Sequence, residues 1–242
     1  MSNSTDTLAR QRINALLDEK SFMEIGSQVT ARSTDFNLQK ADTPSDGVIT
    51  GYGLIDGNLV YVYSQNAAVL KGTIGEMHSR KITAIYDMAM KTGAPVIGLI
   101  DCAGIRLQES VDALQGLGEI FAKQAAASGV VPQFCAVFGS CGGGLSVVPA
   151  LSDFTFVETK GRLFVNSPDA IPGNTKDKCD TATAQYQSEH NGFVDGVGTA
   201  EEIFADIRQL VCMLPGNQYD GTVTEECTDD LNRACEGLAS MK

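Results

Sequence analysis

The stretch that decides the fold is AVFGSCGGGLSVVPAL, residues 136–151. An apolar run reaches Phe138, three consecutive glycines follow at 142–144, and a second apolar run begins at Leu145. Glycine loses more backbone freedom on folding than any other residue, so three in a row at the edge of a core indicate that another group approaches the main chain closely. The pattern predicts a buried strand over 133–138 that passes through the glycines into a helix over 143–151.

Strand-like and helix-like segments alternate on either side of this stretch. Before it, the pattern predicts a helix over 76–93, a buried strand over 94–101 and a second helix over 112–128. The other predicted elements are a helix over 8–19, a hairpin over 48–65 with its turn at Asp56-Gly57, short strands over 153–158 and 162–167, and a helix over 201–214. Parallel strands joined by helical crossovers follow from this order, so the fold class is α/β.

Composition restricts the class of ligand and the location. The chain has 242 residues, of which 43% are hydrophobic, and a formal net charge of −12. This charge disfavours a nucleic-acid surface, because phosphate neutralisation needs clustered lysines and arginines. No apolar run approaches the roughly 20 residues of a membrane span, and the first residues do not resemble a signal sequence, so we expect a cytoplasmic protein.

The chain divides into three predicted regions: an N-terminal helix and irregular arm at 1–46, a globular domain at 47–218 and an acidic tail at 219–242. Its seven cysteines include no CxxC pair. This spacing fits neither a disulfide framework nor a zinc site, so we expect reduced thiols, several of them in the core, and no metal.

The glycines at 142–144 supply main-chain amides rather than side chains. Without Cβ atoms, the N–H groups of Gly143 and Gly144 can point into a cavity at a helix start, where unpaired donors and the helix dipole favour negative charge. A carboxylate, a phosphate or a transient oxyanion fits such donors. Close packing of the helix on the sheet is the alternative explanation. No Lys-Ser or Lys-Thr follows the glycines, so they do not form a nucleotide phosphate loop.

A nucleophile at Ser140 or Cys141 is a second hypothesis, because both residues lie between glycines where a strand turns into a helix. A hydrolase of this kind needs a base, and the chain has two histidines, His78 in a predicted helix and His190 in a polar stretch. Histidines in such places are more often surface or hydrogen-bonding residues. Hydrolase chemistry is therefore disfavoured.

Two groups of charged residues are candidates for ligand binding. Lys71, Arg80 and Lys81 form the densest positive cluster near the predicted core, and an acidic protein that binds a polyanion needs such a patch. A solvated helix face explains the same residues equally well. At the second strand end, DCAGIR, Gly104 precedes Arg106, and ligands of parallel sheets bind at such ends. Pairing of Arg106 with an acidic neighbour such as Glu109 is the structural alternative.

Several segments together resemble the carboxyltransferase component of biotin-dependent acyl-CoA carboxylases and decarboxylases, a branch of the crotonase-like superfamily. The segments that carry the resemblance, in the family's order, are RINALLDEKSFMEIG, DGVITGYGLIDGNLVYVYSQ, GTIGEMHSRKI, KTGAPVIGLIDCAGIRLQESVDALQGLGEIF, ASGVVPQ and GSCGGGLSVVPALSDF. They run along most of the chain, and such a series is far more specific than any single motif.

The resemblance implies a crotonase-like fold of repeated ββα units, with residues 47–218 as an acyl-CoA carboxyltransferase N-terminal domain. It implies that the Gly143 and Gly144 amides hold the thioester oxygen of an acyl-CoA while the α-carbon becomes an enolate. In this family the biotin ureido group acts as the base after CO2 release, so no histidine is needed. The residues that the resemblance assigns to substrate binding are Lys71, Arg80, Lys81, Gly104, Arg106 and Gly142, the basic ones as candidates for the coenzyme A phosphates.

The resemblance also implies partners. The chain is similar to the N-terminal, acyl-CoA-binding half of a carboxyltransferase, so we expect a separate C-terminal-half subunit, a biotinyl carrier protein, and homo- and hetero-oligomers with the active site at an interface. Two alternatives stay open: a malonate-decarboxylase-type subunit that acts on an acyl-carrier thioester, and a non-catalytic scaffold half. The segment at 171–198 departs most from the family pattern, and we expect it to reshape the acyl pocket.

Overall fold

A computed structural model describes residues 7–32, 42–221, 228–230, 232–234 and 237. Most of the predicted acidic tail, with Cys227 and Cys235, lies outside these residues. The helices are α1 (Leu8–Leu16), α2 (Glu76–Thr92), α3 (Ser110–Ala127), α4 (Val147–Ala150), α5 (Ala184–Asn191) and α6 (Ala200–Met213). The strands are β1 (Met23–Ile25), β2 (Val48–Ile55), β3 (Asn58–Gln65), β4 (Val96–Cys102), β5 (Gln133–Gly142), β6 (Phe154–Glu158), β7 (Arg162–Phe164) and β8 (Gly196–Gly198).

The described strands form one eight-stranded sheet in the order β1-β2-β3-β4-β5-β6-β8, with β7 paired to β5 off this path. The hairpin β2–β3 and the added strand β1 are antiparallel, whereas β3, β4, β5, β6 and β8 run parallel. The chain crosses from β3 to β4 through α2 and from β4 to β5 through α3. The carboxyl ends of β4 and β5 therefore meet at one edge of the sheet, where ligands bind in such folds.

The sheet separates two apolar cores because successive side chains of each strand point to opposite faces. On β3, Tyr61 and Tyr63 pack with α2 and α3 on one face, while Val60 and Val62 pack with α1 and α6 on the other. Helices thus cover both faces, which explains why the central strands read as continuous apolar runs.

Strand β5 is longer than its predicted range of 133–138 and pairs with two different strands. Its first part, Phe134–Val137, pairs with β6, and its last part, Ser140–Gly142, pairs with β7. The first of the three glycines, Gly142, thus still belongs to the extended strand. Because of this extension, β5 continues beyond Val137, its last residue paired with β6, to the carboxyl edge of the sheet, where the candidate site lies.

The N-terminal residues correct the predicted regional boundary. Ala9, Ile13 and Leu16 of α1 are fully buried in the core on the α6 side, and β1 pairs with β2. The Arg208 guanidinium of α6 donates to the Leu16 carbonyl at 2.8 Å. The described part of the predicted arm is therefore integral to the domain rather than appended to it.

Other predictions are confirmed. The hairpin turns at Asp56-Gly57, α2 ends at a left-handed Gly93, and Cys102, Cys135 and Cys141 are buried thiols. No helix within the described residues has the length and apolar character that a bilayer crossing requires.

Candidate active site

Two strand ends meet at the carboxyl edge of the sheet, as predicted. After a register shift beyond Ile100, Cys102 of β4 pairs with Cys141 of β5. The chain then passes Gly104 on one side and Gly143 on the other, with φ angles of +112° and +64°. Among the described residues, no atom beyond the immediate chain neighbours lies within 4 Å of the place that a Cβ would occupy at either glycine. These two stretches of main chain therefore border open space.

The three consecutive glycines have different surroundings. A Cβ on Gly142 would lie 2.6 Å from the Phe164 ring, so close packing explains this residue. A Cβ on Gly144 would lie 3.3 Å from Leu117, and one on Gly143 would meet nothing within 4 Å. Gly143 instead has the left-handed backbone that glycine adopts most easily. Packing against Phe164 of the neighbouring strand β7 thus accounts for Gly142, and no such contact accounts for Gly143.

The amides of Gly143 and Gly144 belong to the 3-10 turn that directly follows β5. Outside regular helix and strand bonding, none of the hydrogen bonds among the described residues is donated by either amide. The Ser146 hydroxyl donates to the Gly143 carbonyl at 2.7 Å. In a trans peptide the C=O and N–H of one unit point in opposite directions, so this bond also fixes the direction of the Gly144 N–H.

The helix predicted over 143–151 is much shorter than expected. A 3-10 turn spans Gly143–Ser146, and α4 has four residues. Pro149 contributes to this, since it has no N–H to bond the carbonyl one turn earlier. A helix of one turn supplies only a small dipole, so any anion in front of it is held by individual amides. This corrects the expectation of a helix mouth whose macrodipole contributes.

Arg106 is an internal residue. Its guanidinium is 1% exposed and donates to Asp46 Oδ1 at 2.6 Å, Glu109 Oε1 at 2.7 Å and the Thr73 carbonyl at 2.8 Å. The second Glu109 oxygen accepts from the Glu76 amide at 2.5 Å, at the start of α2. The structural alternative, pairing with Glu109, is thus observed. Arg106 has no exposed donor for a phosphate, which corrects its assignment to substrate binding.

The predicted basic cluster does not form one surface. Lys81 is 6% exposed, and its Nζ donates to the Ser45 carbonyl at 2.9 Å. Burial lowers the pKa of Lys81 to about 8. Arg80 faces solvent and pairs with Glu76 at 2.9 Å, and Lys71 is exposed in a left-handed turn with φ of +56°. Helical geometry turns Arg80 and Lys81 to different faces, so Lys81 is removed from the cluster.

Neither histidine is placed as a base for this site. His78 is fully buried, its Nδ1 donates to the Asp46 carbonyl at 2.9 Å, and its Nε2 accepts from Gln65 Nε2 at 3.2 Å. Burial, aided by the nearby Arg106, lowers the pKa of His78 to about 3, so the ring is neutral. His190 is exposed and stacks on Tyr186.

The surroundings of Cys141 argue against its role as a nucleophile. Cys141 is fully buried, and burial raises the pKa of its thiol well above the ordinary value. A buried, protonated thiol is a poor nucleophile. Within the part of the chain that the structure describes, no three His, Cys, Asp or Glu side chains gather as ligands for a metal ion.

Sequence reasoning missed the polar residues that support this edge of the sheet. Gln65 Oε1 accepts from the Asp101 amide at 3.2 Å, and the Asp101 carboxylate pairs with Arg12 of α1 at 3.0 Å. Gly139 lies against that carboxylate so closely that no Cβ fits. The glycine at the strand end was the available signal. It indicated that some group approaches there, and that group is Asp101.

Two curated proteins are similar to most of this chain. Methylmalonyl-CoA decarboxylase subunit alpha of Propionigenium modestum is 42% identical over 229 residues, which are 93% of this chain and 44% of that protein. Propionyl-CoA carboxylase beta chain of Roseobacter denitrificans is 42% identical over 238 residues, 96% of this chain and 47% of that protein. The chain thus spans about half the length of these curated relatives.

Solved structures confirm the predicted crotonase-like α/β fold. Transcarboxylase 12S, solved with hydrolysed methylmalonyl-coenzyme A bound, superposes with a TM-score of 0.87 at 34% identity over 92% of this chain and 44% of that one. A Pseudomonas malonate decarboxylase hetero-tetramer shares the fold with a TM-score of 0.73 at 24% identity, and the match covers 84% of this chain and 81% of that one. A family model described as the carboxyl transferase domain matches residues 3–242, and this chain belongs to that family.

Proposed function

We propose that this chain is the acyl-CoA-binding half of a biotin-dependent carboxyltransferase, which moves a carboxyl group between carboxybiotin and the α-carbon of an acyl-CoA. The observation that carries the proposal is the main chain at Gly143, which has the left-handed backbone of glycine and borders open space at the carboxyl edge of the sheet. Membership of the carboxyl transferase family and the acyl-CoA names of the relatives support it.

In this proposal the two amides stabilise the negative thioester oxygen of the enolate. Donors that are fixed before the reaction stabilise developing charge without reorganisation. Ser146 is a positioning residue, because its hydroxyl holds the peptide unit that carries the Gly144 N–H. The proposal therefore needs only main-chain donors in this chain, which agrees with a site that has no available histidine.

Side chains at positions 104 and 143 would occupy the open space beside the main chain. Because both residues are glycine, a thioester and the carboxyl-bearing ring of carboxybiotin can approach the main chain closely there. When bound, carboxybiotin supplies the carboxyl group and takes up the α-proton. The side chains left for the coenzyme A phosphates are Lys71 and Arg80, both exposed. Lys81 and Arg106 serve inside the protein, where they hold the loops around Ser45 and Asp46.

The proposal includes a second carboxyltransferase half, a biotinyl carrier protein and a cytoplasmic location. Purification of the native complex through this chain, with mass spectrometry of its subunits, tests these partners. We expect carboxyl transfer to a panel of short acyl-CoAs by the complex and almost none by this chain alone. Absence of any second half or biotinylated protein contradicts the proposal, as does thioester hydrolysis by the isolated chain.

A malonate-decarboxylase-type subunit is the second candidate, because the matched Pseudomonas chain has a similar length: the alignment covers 81% of it. The same complex distinguishes the two. Transfer with an acyl-carrier thioester and not with the matching acyl-CoA supports the second candidate. Transfer with the acyl-CoA supports the first.

A further inference from the structure

A cavity of about 510 Å³ lies beside the glycine run, and the proposed function assigns no particular chemical group to it. It opens between the end of β7, the 3-10 turn with α4, and the segment that carries α5. Two residues join it to the candidate active site. The Phe164 ring packs over Gly142, and the Ser146 hydroxyl bonds the Gly143 carbonyl at 2.7 Å. A chain attached to a thioester carbon held at Gly143 thus has this cavity next to it.

The walls of the cavity are uncharged. Among the described residues that line it, none is Asp, Glu, Lys, Arg or His. The cation closest to it in sequence, Arg162 on β7, is bonded to both Asp180 oxygens, at 3.0 Å and 2.7 Å. A carboxylate against this wall would give up part of its hydration without gaining a cation, which is unfavourable.

The polar side chains of the wall bond mainly to their neighbours. Asn191 Nδ2 donates to Gln187 Oε1 at 2.7 Å, and Gln187 Nε2 donates to the Thr181 carbonyl at 2.6 Å. The remaining lining is largely apolar, with Leu163, Phe164, Val165, Ile171 and Phe193. Ligand pockets of this kind bind mostly apolar groups.

The cavity is also large for a short acyl group. Its volume of about 510 Å³ leaves room for more than the three carbons of a propionyl group, although Val165, Asn166 and Asn191 on its rim are exposed. Five of its lining residues come from 171–198, the segment that departs most from the family pattern. We propose that this cavity binds an uncharged acyl chain longer than three carbons. This inference rests on the proposed function.

The test is calorimetric titration of the full chain, and of its native complex, with free coenzyme A and with propionyl-, butyryl-, hexanoyl- and succinyl-CoA. Each buried methylene is expected to tighten binding about fourfold. Hexanoyl-CoA is therefore expected to bind at least tenfold more tightly than propionyl-CoA, and succinyl-CoA at least tenfold more weakly than butyryl-CoA. Affinity that is flat with chain length, or equal for succinyl- and butyryl-CoA, overturns the inference.

Two variants separate the cavity from general thioester binding. Ile171→Trp fills it, so the gain from propionyl- to hexanoyl-CoA should fall to less than twofold while the affinity for free coenzyme A stays unchanged. Asn166→Arg, at the exposed rim, should strengthen succinyl-CoA binding at least fivefold relative to butyryl-CoA. Because Asn166 is exposed, this substitution leaves the packing of the core unchanged. A preference that neither variant moves contradicts this assignment of the cavity.

The outcomes also separate this inference from the proposed function. Binding of propionyl-CoA and hexanoyl-CoA with equal affinity refutes the cavity assignment and leaves the proposed function standing. Failure of every coenzyme A thioester to bind to the native complex refutes both.

Discussion

The glycine run at 142–144 and the hub around Arg106 differ in how far the protein itself fills the space around them. At Gly143 the main chain borders open space. Among the described residues, its amide donates none of the hydrogen bonds found in turns, loops and caps. We define the hub as Arg106 with Asp46 and Glu109; all three are buried, and both carboxylates accept from the Arg106 guanidinium. Both regions follow strand ends and both were candidate ligand sites. The difference teaches that a charged residue near a strand end can be fully used inside the protein, whereas a glycine there can leave space beside the main chain.

The largest expected effect tests the closed region. Arg106→Leu leaves the buried carboxylates of Asp46 and Glu109 without their cation, and breaking one side of a buried pair costs about 3–5 kcal/mol. Urea unfolding measures the loss. Arg80→Leu is the matched control, because Arg80 is exposed and its pair with Glu76 contributes less than about 1 kcal/mol. Equal effects of the two substitutions would show that Arg106 is not a structural hub.

The next effect tests the open region. Gly143→Ala places a side chain at φ +64° and forces the main chain to shift, so the proposed donor is displaced. Loss of one oxyanion donor lowers kcat by about 10²- to 10³-fold, which carboxyl transfer by the native complex measures.

Gly129→Ala is its control, since Gly129 has φ +72° and equally open surroundings away from the site. It should strain the backbone by a similar 1–2 kcal/mol or so and leave kcat unchanged. If both variants lower kcat equally, general strain rather than a lost donor explains the effect.

A smaller effect follows from the buried histidine beside the hub. His78 has a pKa of about 3 when folded against an ordinary 6.5, so the unfolded chain binds its proton first as the pH falls. Stability from this group is complete above pH 6.5 and decreases below it by about 1.4 kcal/mol per pH unit, about 2 kcal/mol by pH 5. His78→Asn should flatten this slope in urea unfolding at pH 5 to 7, and an unchanged slope would disprove the assignment.

The smallest effect sharpens the description of the open region. Ser146→Ala removes the hydroxyl that holds the Gly143 carbonyl, and one such hydrogen bond contributes about 0.5–1.5 kcal/mol. We expect kcat to fall about fivefold with KM unchanged, and Ser146→Thr to restore it. A rise in KM with constant kcat would assign Ser146 to ground-state binding instead.

Sequence reasoning predicted the elements whose local pattern matches their environment. The helix α2, the strand β4 and the hairpin β2–β3 have clear periodicity, turn or cap signals, and the structure contains them. The polar helix α5 was missed, because only Ala184 is buried and its start depends on the Thr183 cap, which accepts from the Tyr186 amide at 3.2 Å. Strand β1 was missed because it is three residues long and depends on pairing with β2.

The site shows the same division. The glycines at 104 and 143 were visible as ligand-site candidates in the sequence, because each follows a predicted buried strand, and the structure places open space beside both. For Arg106 the sequence offered the local partner Glu109, whereas the distant partners of Lys81 and Arg106, 33 and 60 residues away, have no local signature. Their partners, Asp46 and the carbonyls around it, become neighbours only when the sheet is complete.

The most direct test of the central claim is a crystal structure of the native complex with a non-reactive acyl-CoA thioether or thioester analogue. We predict that the oxygen equivalent to the thioester carbonyl lies within about 3 Å of both the Gly143 and Gly144 nitrogens. An analogue bound with that oxygen on other donors, or both amides bonded to the protein itself, would contradict the account.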